Sequence, residues 1–206
     1  MFVKENTFGR RLYSLGKAYR NLYYGIRAMP KLKKFISSGL LTEKFKERIM
    51  LAVTEVNGCF MCSYAHTEMA LESGLSKGEI DNILNSVLGD VPKDEQEGIL
   101  FSQYYANNRG AVSLTAWEKI INDYGKDKAL GILSAIQVIM MGNTFGIPLG
   151  SLIARFKKGD KYVIDERSSL PYEISMVVLF ILSLPIALIH AIVGNLFNFS
   201  PLEFKD

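Results

Sequence analysis

From Ile174 to Leu202 the chain carries no Asp, Glu, Lys or Arg. Within that run, Ile174 to Val193 holds 20 residues that are apolar apart from two serines, Pro185 and His190. At ~1.5 Å of helical rise per residue, such a stretch matches the ~30 Å hydrocarbon core of a bilayer. A helix in the core of a soluble domain normally keeps one polar side. This stretch has none, so it predicts a transmembrane helix over 174–198, against the competing reading of a helix buried in a core or an oligomer contact. Pro185 would kink a span, which lipid tolerates, and a run this far down the chain does not read as a secretory signal.

A second uncharged run extends from Ala129 to Ala154 and contains four glycines, Gln137, Asn143, Thr144 and Pro148. The Gly142–Gly146 stretch, GNTFG, divides it, which predicts two shorter buried helices in place of a second span.

Charge is uneven along the chain. Residues 1–50 hold 12 basic and 3 acidic side chains, residues 51–130 hold 6 and 12, and residues 131–206 hold 6 of each. Arg155, Lys157, Lys158, Lys161 and Arg167 precede the apolar run and only Lys205 follows it. The positive-inside rule therefore places the large N-terminal part in the cytoplasm. The first helix, expected from about Phe8 to Ala28, mixes arginines and lysines with tyrosines and leucines. That pattern suits either an anionic leaflet or the amphipathic edge of a helical bundle. The basic excess accompanies no recognisable nucleic-acid motif, so no nucleic-acid partner is expected.

The remainder reads as helices with short connections, with no strand alternation and no repeat. Gly39 ends one segment, and Thr42 caps the next, which runs to about Val56. Asn57-Gly58 is a breaker. A helix over Cys59–Ser73 stops at Gly74, and Ser76 with Glu79 forms a capping box. Further helices are expected at 94–106, 114–123 and 127–141. Residues 160–171 are polar and read as a linker.

Both cysteines of the chain fall in Cys59-Phe60-Met61-Cys62, and His66 follows four residues later. A helix N-terminus carries partial positive charge that stabilises a thiolate, and the two-residue spacing suits a reversible disulfide. His66 lies one turn beyond Cys62 on the same helix face. If the helices on either side of Asn57-Gly58 fold back as an antiparallel pair, Glu47 and His66 stand ~15 Å and ~12 Å from the hinge. Glu47 can then orient and charge-stabilise the imidazole. Glu55 is the competing carboxylate, but on a helical wheel it joins Lys44 and Arg48 in a charged surface stripe, whereas Glu47 lies with Met50, Leu51 and Thr54. Structural zinc wants four ligands and this stretch offers three. Covalent haem attachment needs His directly after the second Cys, where Ser63 stands. No cofactor and no metal are expected beyond the thiols.

The stretch ERIMLAVTEVNGCFMCSYAH, Glu47 to His66, resembles the AhpD-like (alkylhydroperoxidase) branch of the carboxymuconolactone decarboxylase superfamily. That branch carries Glu, eleven residues, Cys-x-x-Cys, then His after three more. Glu47, Cys59, Cys62 and His66 match each position. The GLSKGEI stretch that follows is also similar, and the likeness covers about residues 10–155. The resemblance implies an all-α helical bundle that assembles as a homo-oligomer. It implies thiol-dependent reduction of alkyl hydroperoxides, with Cys62 attacking the peroxide, Cys59 resolving the sulfenic acid to a Cys59–Cys62 disulfide, and Glu47 and His66 relaying protons. A dithiol donor, a lipoyl-bearing or thioredoxin-like protein, would reset the pair. One departure stands out: the well-known alkylhydroperoxidase member has a histidine just before the second cysteine, where this chain has Met61.

The expected organisation is therefore an AhpD-like helical redox domain over 1–160, a linker over 161–173, a membrane helix over 174–198 and a tail over 199–206. The leading expectation is a membrane-anchored peroxidase whose catalytic domain faces the cytoplasm. The alternatives are a disulfide oxidoreductase or redox sensor using the same pair, and a non-enzymatic helical membrane scaffold.

Overall fold

The structure, a computed structural model, describes residues 12–159 and 162–205. It is all-α: α1 (Leu15–Ser37), α2 (Glu43–Asn57), α3 (Phe60–Glu72), α4 (Lys77–Leu84), α5 (Lys93–Asn107), α6 (Leu114–Tyr124), α7 (Lys126–Phe156) and α8 (Leu170–Leu196). The strand-free expectation needs one correction. β1 (Ala111–Val112) pairs in parallel with β2 (Glu203–Phe204). Two residues per strand leave no alternation to read, and the partners lie 92 positions apart.

Local signals place most helix ends. Thr42 accepts the Phe45 N–H and Ser76 accepts that of Glu79, each satisfying an otherwise orphaned donor. Gly58 ends α2 in the left-handed region at φ 66° and ψ 44°, where a side chain is costly. The first helix differs from expectation. Residues 8–11 lie outside the described residues, and α1 continues through Pro30 to Ser37. The far end is held by burial of Leu32 and Phe35, which outweighs the one hydrogen bond that proline removes. The helix is also a bundle edge, with Ala18, Leu22 and Ala28 packed inward.

The largest correction concerns residues 129–154. They form one continuous helix, α7, not two. GNTFG does not break it because its residues serve packing. Asn143 and Thr144 are buried and accept hydrogen bonds, from the Thr54 hydroxyl at 3.2 Å and from the Asn21 amide at 2.8 Å. Gly25 of α1 backs onto Met141 of α7, and Gly131 of α7 onto Phe35 of α1. The helices therefore run antiparallel in close contact. Ile132, Leu133 and Ile136 of α7 form the core with Phe45, Ile49 and Leu51 of α2, and Ile99 of α5.

Arg48 corrects a second expectation. It is buried, not part of a surface stripe, and reaches Glu79 of α4 and Glu95 of α5 at 2.7 Å each. Burial works against its charge, but the two carboxylates outweigh it and raise the guanidinium pKa. A wheel drawn for α2 alone cannot show acids arriving from two other helices.

The segment expected as a loose linker is fastened down. Arg167 donates to the carbonyls of Asn57 and Gly58, both at 3.1 Å, and pairs with Asp165. The Asp165 N–H donates to the Ser151 hydroxyl. α8 begins at Leu170, before the expected 174, and packs along α1 and α7. Both α7 and α8 are long and apolar enough to cross a bilayer by length and composition. α7 is mostly inside the protein, and α8 mostly is not.

Candidate active site

α2 and α3 form an antiparallel hairpin about Gly58, because the left-handed residue reverses the chain while its N–H and that of Cys59 both point to the Thr54 carbonyl, at 2.8 and 3.4 Å. The reversal makes Cys59 the N-cap of α3. Its sulfur accepts the Cys62 N–H at 3.3 Å, so both sulfurs sit at the positive end of the helix. Cys59 and Cys62 are joined as a disulfide across a Cα–Cα distance of 5.3 Å. Both residues are buried, at 1% and 8% exposure.

The hairpin also brings Glu47 against His66. Glu47 Oε2 lies 2.8 Å from His66 Nδ1, and the carboxylate is 1% exposed. Burial pushes this carboxyl up, but the hydrogen bonds and charges of His66 and Lys46 outweigh it and hold its pKa below the ordinary value. An ionised carboxylate only accepts, so the shared proton belongs on Nδ1. When the imidazole is neutral, its Nε2 carries the lone pair that can accept a proton, on a residue one helical turn from Cys62. A carboxylate that fixes the tautomer of an imidazole is the arrangement that orients the base of a hydrolase triad.

Two residues of the site were not anticipated. Lys46 Nζ reaches Glu47 Oε1 at 2.9 Å and also pairs with Glu43. Adjacent helical residues do not face one another, so the sequence argued against this contact. The long lysine stem wraps round to make it. Gly146 of α7 is the second. A Cβ built there would lie 2.7 Å from Cys62 Sγ and 3.0 Å from Cys59 Sγ, so only glycine lets α7 seal the disulfide. The signal visible in the sequence is the glycine itself, which within GNTFG reads as part of a helix break. One turn earlier, Asn143 accepts from Thr54, and its buried Nδ2 has no hydrogen-bond partner among the described residues.

Met61 stands half-exposed over α7, its Cβ 3.3 Å from where a side chain on Gly150 would begin. Glu55 is half-buried, near the end of α2. His190 is not part of the site: it is on α8, stacked on Tyr23 with Tyr19 3.3 Å from its Nδ1. Among the described residues, no group of three or more His, Cys, Asp or Glu is placed to hold a metal ion.

No curated protein and no solved structure matches the chain. The family comparison does give a match, and it falls on the hairpin: residues 18–89, which hold Glu47, Cys59, Cys62 and His66, match the model of the carboxymuconolactone decarboxylase family.

Proposed function

We propose that the protein is an AhpD-like thiol peroxidase, held at a membrane by α8 with the helical body on the cytoplasmic side, and working as a homo-oligomer. The observation that carries the reading is the hydrogen bond from His66 to the buried Glu47 carboxylate, one turn from a Cys59–Cys62 disulfide at a helix N-terminus. In the reduced enzyme, His66 Nε2 takes the Cys62 proton and the helix N-terminus stabilises the thiolate. The thiolate attacks the terminal oxygen of an alkyl hydroperoxide. The O–O bond breaks, the alkoxide takes a proton, and Cys62 becomes a sulfenic acid. Cys59 then displaces that hydroxyl, with proton transfer, to give water and the disulfide. A dithiol donor, a lipoyl-bearing or thioredoxin-like protein, returns the pair to thiols and leaves as its own disulfide.

Met61 favours a second reading, a disulfide oxidoreductase or redox sensor without peroxidase turnover. A thioether relays no proton, so delivery to the alkoxide rests on His66 and Cys59 alone. Peroxide turnover with an alkyl hydroperoxide and dithiothreitol, set beside disulfide reduction, separates the two. Wild type is expected to turn over peroxide, and Cys62→Ser to lose at least a hundredfold. Equal peroxide turnover by Cys62→Ser would reject the assignment, and disulfide reduction alone would select the second reading.

A further inference from the structure

We infer that α8 is an in-plane anchor, lying along one leaflet of an anionic membrane with both of its flanks on the same side, instead of crossing. This rests on the membrane placement proposed above and specifies its topology. α8 has 27 residues, hence a length of ~40 Å, and each end is fastened to the same helical body. At the first end the fully buried Glu173 makes a two-pronged pair with Arg155, at 2.6 and 2.9 Å, and Tyr172 donates to the Tyr13 carbonyl. At the far end the buried Arg27 of α1 donates to the carbonyls of Gly194, Phe199 and Ser200. Gln137 of α7 donates to the Pro201 carbonyl at 2.6 Å, and β2 closes onto β1. A crossing would carry the tail away from these partners and break the three Arg27 bonds, the Gln137 bond and the β1–β2 pairing, leaving a buried guanidinium without its carbonyl acceptors.

The inner side of α8 is a stripe of small residues, Ser183, Ala187, Ala191 and Gly194, that meets the body closely. The outer side is apolar and exposed, with Ile181, Leu182, Ile186, Ile189 and Ile192 foremost. Its character fits hydrocarbon better than a second copy of the chain. Protein interfaces carry roughly one hydrogen bond per 100–200 Å², whereas the polar side chains of 174–193 are occupied within the molecule. Ser175 and Ser183 donate to their own helix, and His190 meets Tyr19. The exposed Phe156, Val163 and Ile164 extend the same apolar character beside the start of α8. Exposed Lys157 and Lys158 before the helix, and Lys205 after it, whose ammonium also donates to Asn108, place cations at both ends, suited to anionic headgroups.

The test uses the full-length chain in expressing cells, with Lys158→Cys or Lys205→Cys labelled by a membrane-impermeant maleimide before and after the cells are opened. Both positions should stay unlabelled in intact cells and react to within twofold of each other once the cells are opened. Labelling of position 205 but not 158 in intact cells overturns the in-plane topology and leaves the membrane placement standing. Recovery of the protein in the soluble fraction without detergent, as a stable oligomer that ignores phosphatidylserine vesicles, overturns both.

Discussion

α7 and α8 pass the same test for a membrane span and meet opposite fates. In the most apolar part of α7, 72% of residues are buried, against 22% in α8. Overall hydrophobicity does not separate them. What separates them is the placement of small and polar residues. α7 carries Gln137, Asn143 and Thr144 with partners in other elements, and Gly131 and Gly146 where side chains of two different helices press in. α8 turns its small residues to the body along one line and leaves its outer side uncovered. A helix that is read on several sides by its neighbours is a core helix, whatever its composition.

The sharpest way to break this contrast is to shorten one large side chain on each helix. Ile136 is fully buried and Ile189 is 66% exposed. Ile136→Ala should cost ~2–5 kcal/mol of unfolding free energy, and Ile189→Ala no more than ~0.5 kcal/mol, both measured by urea denaturation without lipid. Similar losses at both positions would mean that α8 is covered in solution.

The glycines give a finer contrast. Gly146→Ala meets two sulfurs tied to backbone at both ends, with no room to yield. Overpacking of that kind costs ~1–3 kcal/mol, and reformation of the Cys59–Cys62 disulfide, followed by thiol titration, should slow at least tenfold. Gly194→Ala meets the Tyr23 hydroxyl, the far end of one side chain in place of two sulfurs. Its loss should be smaller, partly offset by the ~1 kcal/mol helix advantage of alanine. A Gly194 variant that suffers more than the Gly146 variant reverses the assignment of the two packing surfaces.

The smallest effect is on acid stability, and it belongs to the body, not to α8. The Glu47 pKa is lowered on folding, so the folded state binds its proton less readily than the unfolded chain. Its contribution is present above the ordinary carboxylate range and is lost as the pH falls through the lowered value. Stability measured from pH 7 downward should therefore fall less steeply in Glu47→Gln than in wild type. An unchanged slope would show that His66 and Lys46 do not hold the carboxylate.

The hairpin site was largely legible because its signals are local. Glu47, the Asn57-Gly58 reversal, the cysteine pair and His66 span 20 residues, and helical rise alone puts the carboxylate level with the imidazole. What stayed hidden depends on chain brought from elsewhere. Gly146 is a helix break until the sulfurs of α3 are seen against it. Arg48 looks like a surface charge until Glu79 and Glu95 arrive. Arg167 looks like linker composition until its guanidinium is found on the carbonyls of the turn that leads into Cys59.

Arg27 has a bearing on the order in which the molecule completes itself. Its partners Gly194, Phe199 and Ser200 lie 167 to 173 positions later in the chain. Until α8 has docked, Arg27 keeps, among the described residues, only its bond to the Tyr23 hydroxyl, one turn away on α1. Closing so long a loop carries an entropic cost, so the bonds between α1 and the end of α8 depend on the rest of the body being in place. The inner edge of α1 and the far end of α8 are therefore completed together.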